Sequence, residues 1–164
     1  MNNLNNMKLE KQVTNLELSQ KLKELGVKQD SEFVWIDRGS TMKRTETTEN
    51  NIVVLWKDVL GEWEPECEII ASAFTSAELG EMLPISIKKE TGNVLEDLYE
   101  NTSKKYTYYP LFIGKNSSGL WFVSYEQNAI NEGLHQEINI TEADARAKML
   151  IYLLENNILE QSVK

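Results

Sequence analysis

The chain carries one histidine, His135, and one cysteine, Cys67. A single histidine rules out both a multi-histidine zinc site and the HExxH metalloprotease pattern. A Cys67–His135 nucleophile–base couple would need the two side chains within hydrogen-bond reach. Cys67, however, falls on the apolar side of an alternating stretch, where a cysteine serves as a small core residue. Gly114-Lys115-Asn116-Ser117 has the wording of the end of a phosphate-binding loop. That loop needs a glycine five residues before the Gly-Lys pair and a helix directly after it. Position 109 is Tyr109 and the following segment reads as strand, so a hairpin turn is expected instead. No GxGxxG occurs. The sequence therefore implies no catalytic set, no cofactor and no metal centre.

Two further groups invite a chemical reading. Glu62, Glu64, Glu66 and Glu68 alternate with Trp63, Pro65, Cys67 and Ile69, the period of a half-buried strand. A hard cation gathers six or more oxygens, whereas carboxylates along one strand face stand ~7 Å apart. The row is expected to be a solvated edge that blocks aggregation, with a basic partner as its functional use. The second group is aromatic: Trp35, Trp56, Trp121, Tyr106, Tyr108 and Tyr109. A stacking platform for a nucleic-acid strand wants lysine and arginine interleaved with the rings. Only Lys104 and Lys105 lie close in sequence, so the aromatics are expected in the core.

The elements that must position these residues follow from periodicity. Leu18, Leu22 and Leu25 at i, i+4 and i+7 predict a helix over 16–25, with Asn15 as N-cap and Gly26 as stop. A strand is predicted over 32–37, apolar on both faces, and another over 52–56. The alternating 62–69 stretch makes a third strand, placed at an edge because Pro65 cannot donate to a ladder. Thr75 and Glu78 spell a capping box for a short helix that Pro84 ends. Residues 93–101 are read as a helical turn or two. Strands over 108–113 and 120–125 are joined by the 114–119 turn, and 128–139 reads as a polar connection. A last helix runs over 142–156 behind Thr141. The order α-β-β-β-α-β-β-α predicts an α+β fold, a mostly antiparallel sheet of four to five strands with helices packed on it. Residues 1–8 are expected to form a loose tail and 9–164 one domain.

Composition narrows the partners. The 164 residues include 17 basic and 26 acidic side chains, a net charge of -9. That balance argues against direct nucleic-acid binding, which neutralises phosphates with lysine and arginine. The apolar runs at 69–74 and 149–154 fall far short of the ~20 residues a membrane-spanning helix needs. No secretory signal is visible at the N-terminus, and a lone cysteine fits a reducing compartment.

Three stretches, LELSQKLKELGVKQDSEFVWI (16–36), AFTSAELGEMLP (73–84) and EADARAKMLIYLLENNIL (142–159), together resemble an uncharacterised family of small phage and prophage proteins from gut bacteria. The resemblance covers about a third of the chain and carries no activity or catalytic residue across. It implies a phage or mobile-element origin and a bacterial cytoplasm as the place of action. A non-enzymatic accessory protein that works through protein–protein contact is the expectation. An enzyme with a scattered Asp/Glu acid–base site and an acidic nucleic-acid mimic are the alternatives. Candidate contact residues lie on the last helix. Ala143, Ala147, Leu150, Ile151, Leu154 and Ile158 form the face expected to meet the sheet, and Ala145, Met149, Tyr152 and Leu153 form a second patch roughly opposite. That patch is covered either by the Leu18/Leu22/Leu25 stripe or by an unknown protein partner, a second copy included. With the glutamates at 62, 64, 66 and 68, it is the contact surface expected from sequence.

Overall fold

The computed structural model describes residues 9–37, 52–58, 67–94, 103–127 and 133–159. A 3-10 turn at Leu9–Lys11 leads into helix α1 (Leu16–Glu24). Strands β1 (Phe33–Asp37), β2 (Ile52–Trp56) and β3 (Glu68–Ser72) follow, then helix α2 (Ser76–Met82). Strands β4 (Ser86–Val94), β5 (Ser103–Lys115), β6 (Trp121–Glu126) and β7 (Gly133–Asn139) lead to helix α3 (Glu142–Glu155). The fold is α+β, as expected, and every strand pairing among the described residues is antiparallel. Among the described residues seven strands are divided between two sheets, β2-β1-β3 and β4-β5-β6-β7, where one sheet of four to five was expected. The additions to the expected order are β4, whose last two residues, Asn93 and Val94, fall in the 93–101 segment read as helical turns, the rest of which lies outside the described residues, and β7, which occupies residues 133–139 of the segment read as a connection.

Local chemistry sets the helix ends. Asn15 Oδ1 accepts the Leu18 amide at 3.0 Å, satisfying one of the orphan donors of the first turn of α1. At the other end Gly26 takes φ 82, and the Val27 amide returns to the Leu22 carbonyl at 3.0 Å, a helix stop that needs a residue tolerant of positive φ. The capping box of α2 forms in both directions. The Glu78 amide donates to Thr75 Oγ1 at 3.2 Å, and the Thr75 amide donates to Glu78 Oε2 at 2.6 Å. Thr141 Oγ1 accepts the Asp144 amide at 3.1 Å to open α3.

Two clusters of buried side chains hold the elements together. The larger one joins Leu22 of α1, Leu79 of α2, Ile87 of β4, Val123 and Tyr125 of β6, and the α3 residues Ala145, Met149, Leu150 and Leu153. The smaller one joins Val13, Trp35, Val54 and Ala73. Thr14 lies buried beside it, and its polar atoms bind α1, β1 and the segment that enters α2. Its Oγ1 accepts the Phe74 amide at 3.0 Å, its carbonyl accepts Trp35 Nε1 at 3.0 Å, and its hydroxyl sits 2.7 Å from Ser19 Oγ. In β1, Val34 and Ile36 are buried on one face and Trp35 on the other. Both faces are therefore covered, as the unbroken apolar run predicts.

Candidate contact surface

The four-stranded sheet has two unlike faces. Trp121, Val123 and Tyr125 of β6 and Leu111 and Ile113 of β5 pack toward the helices. Alternation then turns Phe112, Gly114, Phe122 and Ser124 the other way. The register continues this outward face across the sheet. Phe122 stands between Gly114 and Ile138, and Ser124 stands between Phe112 and Gln136. A Cβ on Gly114 would come within 3.0 Å of the Phe122 ring, so the glycine is what lets that ring lie across the neighbouring strand. Phe112 is 39% exposed and Ile138 42% exposed. This is an apolar patch at the end of the sheet away from β4.

At the other end β5 outruns its partners. Residues 103–110 pair with β4 and residues 111–115 pair with β6. The change of partner falls directly after Pro110, a residue with no amide to give to a ladder. The resulting two-stranded ribbon is anchored by Ile87 and its cross-strand neighbour Tyr109, which pack against the main core. Beyond this anchor Lys88, Lys89, Tyr106 and Tyr108 are exposed. Lys88 stands opposite Tyr108 in register. Its Nζ lies 3.7 Å from the Tyr106 ring centroid and 5.9 Å from that of Tyr108, a cation over the electron-rich face of one ring and close to a second. Lys104 and Lys105 stand on β5 opposite Asn93 and Gly92. The ribbon thus gathers four lysines from two segments that are not adjacent in sequence.

The residues expected to form the contact surface are distributed otherwise. Ala145, Met149 and Leu153 are fully buried in the protein's own core, which removes them from any surface a partner could reach. The α1 stripe supplies part of the cover through Leu22, as the internal reading of that patch required. Tyr152 is only partly buried, its ring stacked on His135 with centroids 3.5 Å apart and planes 6° apart. His135 Nε2 lies 2.7 Å from Glu137 Oε1, so the lone histidine is engaged with a carboxylate two residues away on the same strand. Glu68 is exposed and opens β3 at an edge of the three-stranded sheet. The strand expected over 62–69 thus runs over Glu68–Ser72 among the described residues, while Glu62, Glu64 and Glu66 lie outside them. Cys67 is half-buried just ahead of β3.

One groove, of about 470 Å³, opens between α1, α3 and β7 and is lined by Glu17, Lys21, Glu137, Lys148, Tyr152 and Glu155 among others. Lys21 bridges it to Glu155 at 2.9 Å, and this hydrogen-bonded carboxylate raises the lysine above its usual pKa. The pair joins α1 to α3 across the groove, with both side chains partly exposed. Among the described residues no group of three or more His, Cys, Asp or Glu side chains is placed to hold a metal ion, and no helix is long and apolar enough to cross a membrane. No family model, curated protein or solved structure matches this chain.

Proposed function

We propose that the protein is a non-enzymatic accessory protein of a phage or mobile element, acting in the cytoplasm of a bacterial host by contact with another protein. The resemblance of three stretches of the chain supports the origin, and the lone cysteine supports the compartment. The observation that carries the contact reading is the outward apolar patch of the four-stranded sheet. Phe112, Phe122 and Ile138 sit together on the face that the helices leave open, and clustered apolar surface rimmed by polar residues marks interaction sites. Gln136, on the same face, is exposed beside them. The patch replaces the α3 residues as the place where a partner would dock.

The test is affinity capture from host lysate with the wild type and with the double variant Phe112→Asp/Ile138→Glu, each checked for folding by circular dichroism. The reading expects a protein retained by the wild type to be lost from the folded variant. Identical retained sets on both would overturn it. Light scattering of the same two samples identifies the case in which the partner is a second copy, since the mass would then fall in the variant.

A further inference from the structure

We infer that the β4–β5 ribbon binds a single strand of nucleic acid, with bases stacked on Tyr106 and Tyr108 and a phosphate met by Lys88. This goes beyond the protein-contact reading and uses the opposite end of the sheet face.

Tyr106 and Tyr108 occupy alternate positions of one strand, so they project from the same face about 6.7 Å apart. They are 40% and 56% exposed, a placement that leaves ring surface open to a ligand. The spacing is about twice the 3.4 Å rise per nucleotide of a stacked duplex strand. It matches a strand whose neighbouring bases have been drawn apart, each to lie on its own ring. A duplex keeps its base faces stacked on one another, so the rings select a single strand.

The paired segments 86–94 and 103–110 hold Lys88, Lys89, Lys104 and Lys105 against one acid, Glu90. That is a local excess of three positive charges in a chain whose total is -9. On the tyrosine face the register sets Lys88 opposite Tyr108 and Glu90 opposite Tyr106, while Lys89, opposite Thr107, belongs to the other face of the ribbon; Lys88 is therefore the cation placed at the rings. The Lys88 ammonium already lies over the Tyr106 ring and near the Tyr108 ring. From there a phosphate linking two stacked bases is within reach of a small movement of an exposed side chain. Stacking on rings with lysines beside them is the arrangement single-stranded nucleic acids use without sequence preference. An acidic peptide would use the lysines but would leave the ring faces idle, so the two occupants separate in a measurement.

The chemistry does not distinguish DNA from RNA, and the test runs both. Fluorescence anisotropy with labelled dT15 and rU15 at low salt measures affinity. An abasic 15-mer carries the same phosphates without bases, and a polyglutamate peptide supplies carboxylates alone. The inference expects dT15, rU15 or both to bind, with the abasic strand and polyglutamate at least tenfold weaker than the better ligand. Tyr108→Ala should weaken binding about 5- to 100-fold, the range for loss of one stacked base. Lys88→Gln should weaken it too and reduce the slope of log K against log salt by about 0.7. Both side chains are exposed, and a circular dichroism melt verifies that each variant is folded. No binding by either oligonucleotide overturns the proposal. So does equal binding of the abasic strand, equal binding of polyglutamate, or an unchanged affinity in a folded Tyr108→Ala variant. None of those results bears on the Phe112/Ile138 patch, whose capture experiment stands by itself.

Discussion

Replacing Thr14 with valine keeps the shape of the side chain and deletes one hydroxyl, and it should be among the most damaging single-atom changes available in this protein. Thr14 is fully buried. Its Oγ1 is the acceptor for the Phe74 amide at 3.0 Å and the partner of Ser19 Oγ at 2.7 Å. Valine leaves the Phe74 amide without that acceptor, and a buried unsatisfied donor costs about 1–3 kcal/mol. Ser19, also fully buried, retains a 3.5 Å contact with the Thr14 carbonyl, which recovers part of the second loss. The total comes to roughly 2–4 kcal/mol. Thr14→Ser makes the opposite cut: it keeps the hydroxyl and removes a methyl group, for about 1 kcal/mol. Urea denaturation followed by circular dichroism gives both numbers, with unchanged m-values required for the comparison. The reasoning predicts that valine is worse than serine by at least ~1 kcal/mol. A valine variant as stable as the serine variant would refute the idea that the Thr14 hydroxyl holds α1 to the segment entering α2.

Three other perturbations address separate parts of the molecule. Met149→Glu puts a carboxylate where the side chain is fully buried, with an expected loss above ~4 kcal/mol, against less than ~1.5 kcal/mol for Met149→Leu; a folded Glu variant with an altered mass in light scattering would show that the position is an interface. Tyr125→Phe removes the hydrogen bond its hydroxyl donates to the Pro84 carbonyl at 2.7 Å and should cost about 1 kcal/mol in the same assay. Burial also pushes the Tyr125 phenol above its ordinary pKa of 10.0, so the unfolded chain ionises first as pH rises. The stability this residue contributes is complete below pH 10 and declines above it, and Tyr125→Phe should flatten the alkaline limb of a melting-temperature profile. Asp144→Ala deletes the carboxylate that accepts the Asn15 amide at 2.8 Å, a charge-assisted bond between the starts of α1 and α3. A loss of about 1.5–3 kcal/mol is expected by thermal denaturation, and a change below ~0.5 kcal/mol would contradict the coupling of the two helix starts.

Elements whose signal is local could be read from the chain alone. The caps at Asn15, Thr75 and Thr141 are contacts over three residues, and the hairpin turn at 116–119 closes on Asn116 with Gly119 at φ 77. The strand β1 was visible because both its faces are apolar. β7 was not, because its helix-facing side carries His135 and Glu137, which pair with each other while His135 stacks on Tyr152. Polar residues on the inner face erase the alternation that marks a strand. β4 was hidden for a related reason: among Ser86–Glu90 only Ile87 is buried, and the register shifts between Glu90 and Gly92.

The candidate contact surfaces depended on those two strands. Lys88 and Tyr106 are 18 positions apart in the chain, and no sequence window places the ammonium over the ring. The same holds for Phe122 and Ile138, which meet only through β6–β7 pairing. The helix patch at Ala145, Met149 and Leu153 shows the converse. Periodicity established that these residues share an apolar face, but an amphipathic pattern has the same form whether the face is covered by the chain's own helices or by a partner. Local hydrogen bonding and side-chain period are properties of consecutive residues, so sequence determined the helices, their ends and the α+β class. Which faces are covered is a property of long-range pairing, and only the tertiary structure decided that the Met149 side of α3 is enclosed while Phe112 and Ile138 on the far side of its sheet are exposed.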